Sequence, residues 1–159
     1  MNQETPYHKS GFVRRYLIST DHKVIAKQYL TLALFWAVMG AATAYLIRWQ
    51  IGHPDTEAFG WGFIEPQVYN ALVTMHGTIM VFFVAMPLLL SVFGNFLIPL
   101  MIGAQDMAFP KLNALSFWIF FLASAVLLSS FFVPQGAAAA GWTGRSEEHT
   151  SELQSLAYL

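Results

Sequence analysis

The forty residues from Pro66 to Gln105 read PQVYNALVTMHGTIMVFFVAMPLLLSVFGNFLIPLMIGAQ and contain no Asp, Glu, Lys or Arg. A helix rises about 1.5 Å per residue and the hydrocarbon core of a bilayer is about 30 Å thick, so roughly twenty such residues suffice to cross it. This stretch has residues to spare and predicts a long or tilted span over 68–101. His76 stands inside it. An imidazole at membrane depth costs free energy unless something within the protein satisfies it, which makes His76 a candidate functional residue.

Two more charge-free windows flank this one, Gln28–Ile47 and Leu112–Gly144. They predict spans over 28–47 and 115–133, hence an all-α integral membrane fold with three transmembrane helices. The remainder divides into an interfacial N-terminal segment 1–27, a loop 48–67, a turn 102–114 and a segment 134–144. Composition agrees, with 56% hydrophobic and 11% charged residues in 159 and a mean hydropathy of +0.50. A soluble domain carries about a quarter charged residues to keep its surface wet. Cysteine is absent, which removes disulfides, thiolate metal sites and cysteine nucleophiles. A net charge of −1 gives no basic footprint for nucleic acid. The polar start at Met1–Glu4 does not have the pattern of a cleaved signal, and the N-terminus is expected to be retained.

Basic residues set the orientation. Lys9, Arg14, Arg15, Lys23 and Lys27 precede the first span, whereas the 48–67 loop holds Arg48 against Asp55, Glu57 and Glu65. The N-terminal side is therefore expected to be cytoplasmic, and the 48–67 loop outside. Ser19-Thr20-Asp21 offers capping oxygens for the first helix. Phe12, Tyr16, Leu17 and Ile18 among Arg14 and Arg15 read as an interfacial segment. Ala33, Ala37, Ala41 and Ala44 recur at helical spacing and predict close approach of a neighbouring helix. Pro87 and Pro99 are expected to bend the second helix or mark its inner end. After Gly144 the composition changes abruptly. Arg145–Ser155 resembles the translation of a sequencing-library adapter, so 145–159 is expected to be a non-native tail.

The residues alone leave His76 open between bonding a neighbour, relaying protons and ligating a metal such as haem iron. Gly77, Thr74 and Thr78 leave room for a flat macrocycle. Met80 and Phe83, at i+4 and i+7, either extend an apolar wall for it or are ordinary packing. His76 lies about 12 Å below the outer interface by helical rise. Asn95 follows roughly 28 Å further along the helix, with Asp106 in the inner turn and Asn113 at the start of the third span. These three are either a loop acid and two helix caps, or a water-filled proton entrance with a carboxylate at its mouth.

Taken together, Ser19-Thr-Asp-His-Lys23, Met75-His-Gly-Thr-Ile-Met-Val-Phe82, Gly94-Asn-Phe-Leu-Ile-Pro-Leu-Met-Ile-Gly-Ala-Gln-Asp-Met-Ala-Phe-Pro-Lys-Leu-Asn113 and Gly141-Trp-Thr143 resemble the opening of subunit I of the haem-copper oxidases, of the cytochrome c oxidase kind. The resemblance runs from about residue 12 to 143. It implies the first three helices of a larger twelve-helix bundle in the bacterial plasma membrane, working with subunits II and III and cytochrome c. By the same resemblance, His76 is an axial ligand of a low-spin haem, expected to be haem a. Asp106 opens a proton-uptake channel with Asn95 and Asn113 beside it. Arg48 contacts the haem's substituent and Trp142 lies near its propionates. Gln50 stands where the family more usually has Glu, so the resemblance does not extend to an outer cation site using that acid. The high-spin haem and copper need further histidines on later helices. Besides His76 the chain has His8, His22, His53 and His149, none within a predicted span.

The implied function is reduction of oxygen to water with electrons from cytochrome c, coupled to proton pumping, with this chain an N-terminal fragment that turns over no oxygen by itself. A quinol oxidase shares the same opening helices. From other classes come a small non-enzymatic membrane helical protein and a two-haem b-type cytochrome, the latter needing a second intramembrane His.

Overall fold

The computed structural model describes residues 16–53 and 64–133. They form three long helices: α1 (His22–Gly52), α2 (Pro66–Ile102) and α3 (Pro110–Ser130), each long and apolar enough to cross a membrane. The fold is all-helical, as the charge-free windows imply. The helices are not bounded by those windows. α1 begins at His22, six residues before Gln28, because Asp21 caps it: the Asp21 carboxylate accepts from the Lys23 backbone N–H at 2.8 Å. Ser19 Oγ in turn accepts from the Asp21 N–H at 3.2 Å. Polar ends of a membrane helix can continue into the headgroup layer, where charge is tolerated, so lack of charge marks depth rather than helix length.

α3 starts at Pro110, which supplies a first helical residue without an unsatisfied N–H. This shortens the expected 102–114 turn and places Asn113 within the first turn of α3. At the end of α2, Gly103 takes φ 69°, a left-handed conformation that glycine adopts without strain. The Ala104 N–H then bonds Pro99 O at 2.9 Å and the Gly103 N–H bonds Leu100 O at 3.4 Å, closing the helix with a paired C-terminal cap.

Proline shapes α2 from inside. Its central part, Ile79–Ala85 and Pro87–Val92, is wound in wide π turns, so that the Met86 N–H reaches Val81 O and the Phe93 N–H reaches Leu88 O, five residues back. An α-helix clashes with a proline ring at the carbonyl four residues earlier; a wider turn relieves that clash. The helix therefore passes through Pro87. Pro99 also lies within the helix, and it is fully buried.

The seam of α1 is His22, Ala26, Tyr29, Ala33, Trp36, Gly40 and Thr43, all buried. Their alternating spacing of four and three is the heptad pattern that keeps one face against neighbouring helices. Of the alanine stripe expected to do this, Ala33 lies in the seam while Ala41 is exposed. The N-terminal half of the seam packs Ile25 and Tyr29 against Val92 and Phe117. The C-terminal half packs Trp36 against Ile79, Val84 and Phe83. α2 thus runs antiparallel to α1, and α3 parallel to it.

Two hydrogen bonds fix α3 on α1. The Tyr29 hydroxyl meets Ser116 Oγ at 3.1 Å, and Trp36 Nε1–H donates to Ser124 Oγ. Lipid gives little hydrophobic drive for helix association, so such bonds and close packing carry it. Aromatic rings complete the core, with Phe83 5.2 Å from Trp36 and 5.4 Å from Phe120 between ring centres. The outer surfaces are lined by exposed apolar side chains such as Leu90, Leu100, Ile119 and Val126.

Candidate functional site

His76 sits where α2 packs on the Gly40–Thr43 turn of α1. Its Nδ1 lies 3.0 Å from the carbonyl oxygen of Gly40 and 3.3 Å from Thr43 Oγ1. The carbonyl can only accept, so Nδ1 carries the proton and donates to it. The Thr43 hydroxyl donates to the same carbonyl at 2.8 Å. Gly40 permits this approach: a Cβ there would fall 2.7 Å from Met80 Sδ and 3.3 Å from Ile79 Cγ2. With Nδ1–H engaged, Nε2 is the ring nitrogen with a free lone pair, the arrangement in which imidazole serves as a metal ligand.

The surroundings of His76 fit a flat group in one respect and not in another. A Cβ on Gly77 would meet nothing within 4 Å, so that side of the helix is open. Met80 and Phe83 do not form a free apolar wall, however. Met80 packs its sulfur against Gly40 yet stays 36% exposed, while Phe83 lies between Trp36 and Phe120 and is committed to helix packing. Among the described residues no three His, Cys, Asp or Glu side chains come together as a metal site.

Arg48 is exposed near the C-terminal end of α1 and, among the described residues, has no carboxylate partner. A shallow recess of ≈ 270 Å³ between the end of α1 and the start of α2 is lined by Gln50, Ile51, Ile64, Pro66, Tyr69 and Asn70. Trp142 and the 145–159 tail lie outside the described residues.

At the other end of the bundle the structure brings Asn95 and Asn113 together. Asn113 Nδ2 donates to Asn95 Oδ1 at 2.5 Å, and Asn95 Nδ2 donates to Ser91 O at 2.7 Å. Neither amide caps a helix. Asn95 is 4% exposed, so its polar atoms are held within the bundle. The chain of bonds continues through Ser116, whose hydroxyl donates to Asn113 O at 2.7 Å and accepts from Tyr29.

Asp106 does not join that chain. Its Oδ1 accepts from the Met107 backbone N–H at 2.8 Å and lies 3.0 Å from Nδ1 of His22, the first residue of α1. The Met107 N–H is the main cause, and the His22 side chain a lesser one, that hold the Asp106 carboxyl below the usual carboxylate range. Sequence reading assigned no role to His22, Tyr29, Gly40, Thr43 or Ser116. The polar members of the α1 seam were a signal for them, since a polar residue in register with a buried apolar stripe needs a partner.

Helices long and apolar enough to span a membrane, enclosing polar groups at two depths, define an integral membrane protein. The chain belongs to the family described as Cytochrome C and Quinol oxidase polypeptide I, whose model matches residues 24–154. It is 46% identical over 86% of its length to the alternative cytochrome c oxidase subunit 1 of Bradyrhizobium diazoefficiens. Over 80% of its length it is 46% identical to the cytochrome c oxidase subunit 1 of Thermostichus vulcanus. It is 42% identical to that of Mytilus edulis over 82% of its length. The chain spans 22–23% of these relatives. Membership implies haem and copper cofactors in the family at large and a place in a multi-subunit membrane oxidase.

Proposed function

We propose that this chain forms the N-terminal part of the catalytic subunit of a respiratory cytochrome c oxidase, which reduces oxygen to water with electrons from cytochrome c and pumps protons. Within the matched family, the observation that carries the reading is the state of one ring. The Gly40 carbonyl accepts a hydrogen bond from Nδ1–H of His76, leaving Nε2 to ligate iron. The group it would hold is a low-spin haem, haem a, which supplies one-electron redox chemistry when bound.

The rest of this chain's contribution is binding and proton handling. Thr43 and Gly40 fix the plane of the His76 ring. Arg48, exposed at the outer end of α1, is a cation for the haem's substituent, and Trp142 is assigned to its propionates. At the inner end, Asp106 admits protons. The amides of Asn95 and Asn113 offer donors and acceptors to water behind it. The high-spin haem and copper ligands belong to helices beyond this chain. The location is the bacterial plasma membrane with the N-terminus cytoplasmic, and the partners are subunits II and III and cytochrome c. The names of the relatives favour cytochrome c over quinol as the donor.

The test is His76→Ala in the full-length subunit. It is expected to abolish the low-spin haem absorbance band, and a preserved band refutes the ligand role.

A further inference from the structure

Thr43 is the last buried residue of α1, and its hydroxyl lies beside the His76 ring. The Oγ1–H donates to the Gly40 carbonyl at 2.8 Å. A back-bond of this kind is ordinary for a helical Thr, and Thr78 makes one to Thr74 O at 2.9 Å. The other use of the acceptor is not ordinary. The Gly40 carbonyl lies inside α1, where the amide four residues on draws on it, and it also accepts Nδ1–H of His76 at 3.0 Å. Three donors therefore share an oxygen with two lone pairs. With its single proton on Gly40 O, the Thr43 hydroxyl can turn only lone pairs toward Nδ1–H. That contact is 3.3 Å, just beyond the usual range for an N–H donor and hence weak.

We propose that Thr43 is a positioning residue that limits how strongly the Gly40 carbonyl pulls on the His76 ring, and so holds up the reduction potential of the haem that His76 ligates. This rests on the reading of His76 as a haem ligand. A stronger acceptor on Nδ1–H pushes electron density through the ring to Nε2 and makes it a more basic ligand. A more basic ligand favours ferric over ferrous iron, which lowers the potential. Thr43 opposes this because the stronger of its two contacts, at 2.8 Å, occupies the acceptor. The acceptance it offers Nδ1–H at 3.3 Å is too weak to reverse the sign. Burial sharpens the effect. Thr43 is 5% exposed, so when its hydroxyl is removed the carbonyl it served is left to the ring and the helix, and the bond to Nδ1–H tightens.

The experiment measures the midpoint potential of the low-spin haem in the assembled oxidase by spectroelectrochemistry, with cyanide holding the oxygen-binding haem out of the reading. Haem absorbance confirms assembly of each variant. Thr43→Val keeps the branched shape and removes the hydroxyl, Thr43→Ser keeps the hydroxyl and removes the methyl, and Thr43→Ala removes both. Val and Ala are expected to shift the one-electron equilibrium about threefold toward ferric iron, the scale of a modest hydrogen bond. At 59 mV per tenfold this is a fall of about 28 mV. Thr43→Ser is expected to keep the wild-type potential. An unchanged or raised potential in Thr43→Val overturns the proposal. So does a Thr43→Ser potential as low as that of Thr43→Val, or a shift in Thr43→Ala that Thr43→Val does not share, since packing rather than the hydroxyl then accounts for it. A low-spin band preserved in His76→Ala sinks the ligand reading itself, and it is distinguishable from these outcomes because it is read in the band and not in the potential.

Discussion

Gly40 is where the packing of α1 on α2 and the orientation of His76 depend on one atom that is missing. Replacing it with Ala places a Cβ 2.7 Å from Met80 Sδ and 3.3 Å from Ile79 Cγ2. The sulfur belongs to a flexible side chain and can swing aside; Ile79 is 0% exposed and has little room. Overpacking of this size costs about 1–3 kcal/mol, offset by about 1 kcal/mol from the helix preference of Ala over Gly. Gly40→Ala is therefore expected to be destabilising by about 0–2 kcal/mol. Gly40→Leu adds atoms that no rotamer change accommodates, so α1 and α2 must separate. That costs about 3 kcal/mol or more and draws the Gly40 carbonyl beyond bonding reach of His76 Nδ1, now 3.0 Å away. The assay is detergent-induced unfolding of the full-length subunit. Met80→Ala is made alone and with each Gly40 variant, so that a double-mutant cycle isolates the contact. Removing the Met80 side chain should recover about 1 kcal/mol of the loss in Gly40→Ala. If Gly40→Leu unfolds with wild-type stability, or Met80→Ala gives no coupling, the close approach at Gly40 is wrong.

Two further outcomes follow from named contacts. Ser124→Ala removes the acceptor of the buried Trp36 Nε1–H and should cost about 1 kcal/mol, the scale of interhelical hydrogen bonds in membranes; a Trp36→Phe cycle showing no coupling to Ser124 refutes the bond. The Asp106 carboxyl is held below its ordinary value in the fold, chiefly by the Met107 N–H. Its stabilising effect is thus complete above the unfolded-state value of about 3.9 and is lost as pH falls through the lower folded value. Asp106→Asn should flatten the loss of stability with acid below about pH 4, measured by unfolding midpoints across that range. An acid limb as steep as in the wild type refutes the pairing.

Three membrane helices and the candidacy of His76 are legible in the sequence because crossing a hydrocarbon layer is a one-dimensional requirement. It asks for a run of residues without charge, and any charge or polar ring inside the run stands out. What each polar residue touches was not legible. His76 bonds Gly40, 36 positions earlier, and Asp106 bonds His22, 84 positions earlier. Asp106, Asn95 and Asn113 read as one cluster along the chain, yet the fold pairs the two amides and hands the acid to α1. Met80 and Phe83 read as either a wall for a ligand or ordinary packing, and only the fold shows that Phe83 enters the aromatic core while Met80 packs on Gly40 and stays partly exposed. The alanines of α1 pointed to a packing stripe, of which Ala33 lies in the seam and Ala41 does not, and the larger seam residues Tyr29 and Trp36 were not read from the pattern. Partners across helices are set by the offset and rotation of one helix against another, and those are fixed by how side chains of all three interlock rather than by the order of residues in any one of them.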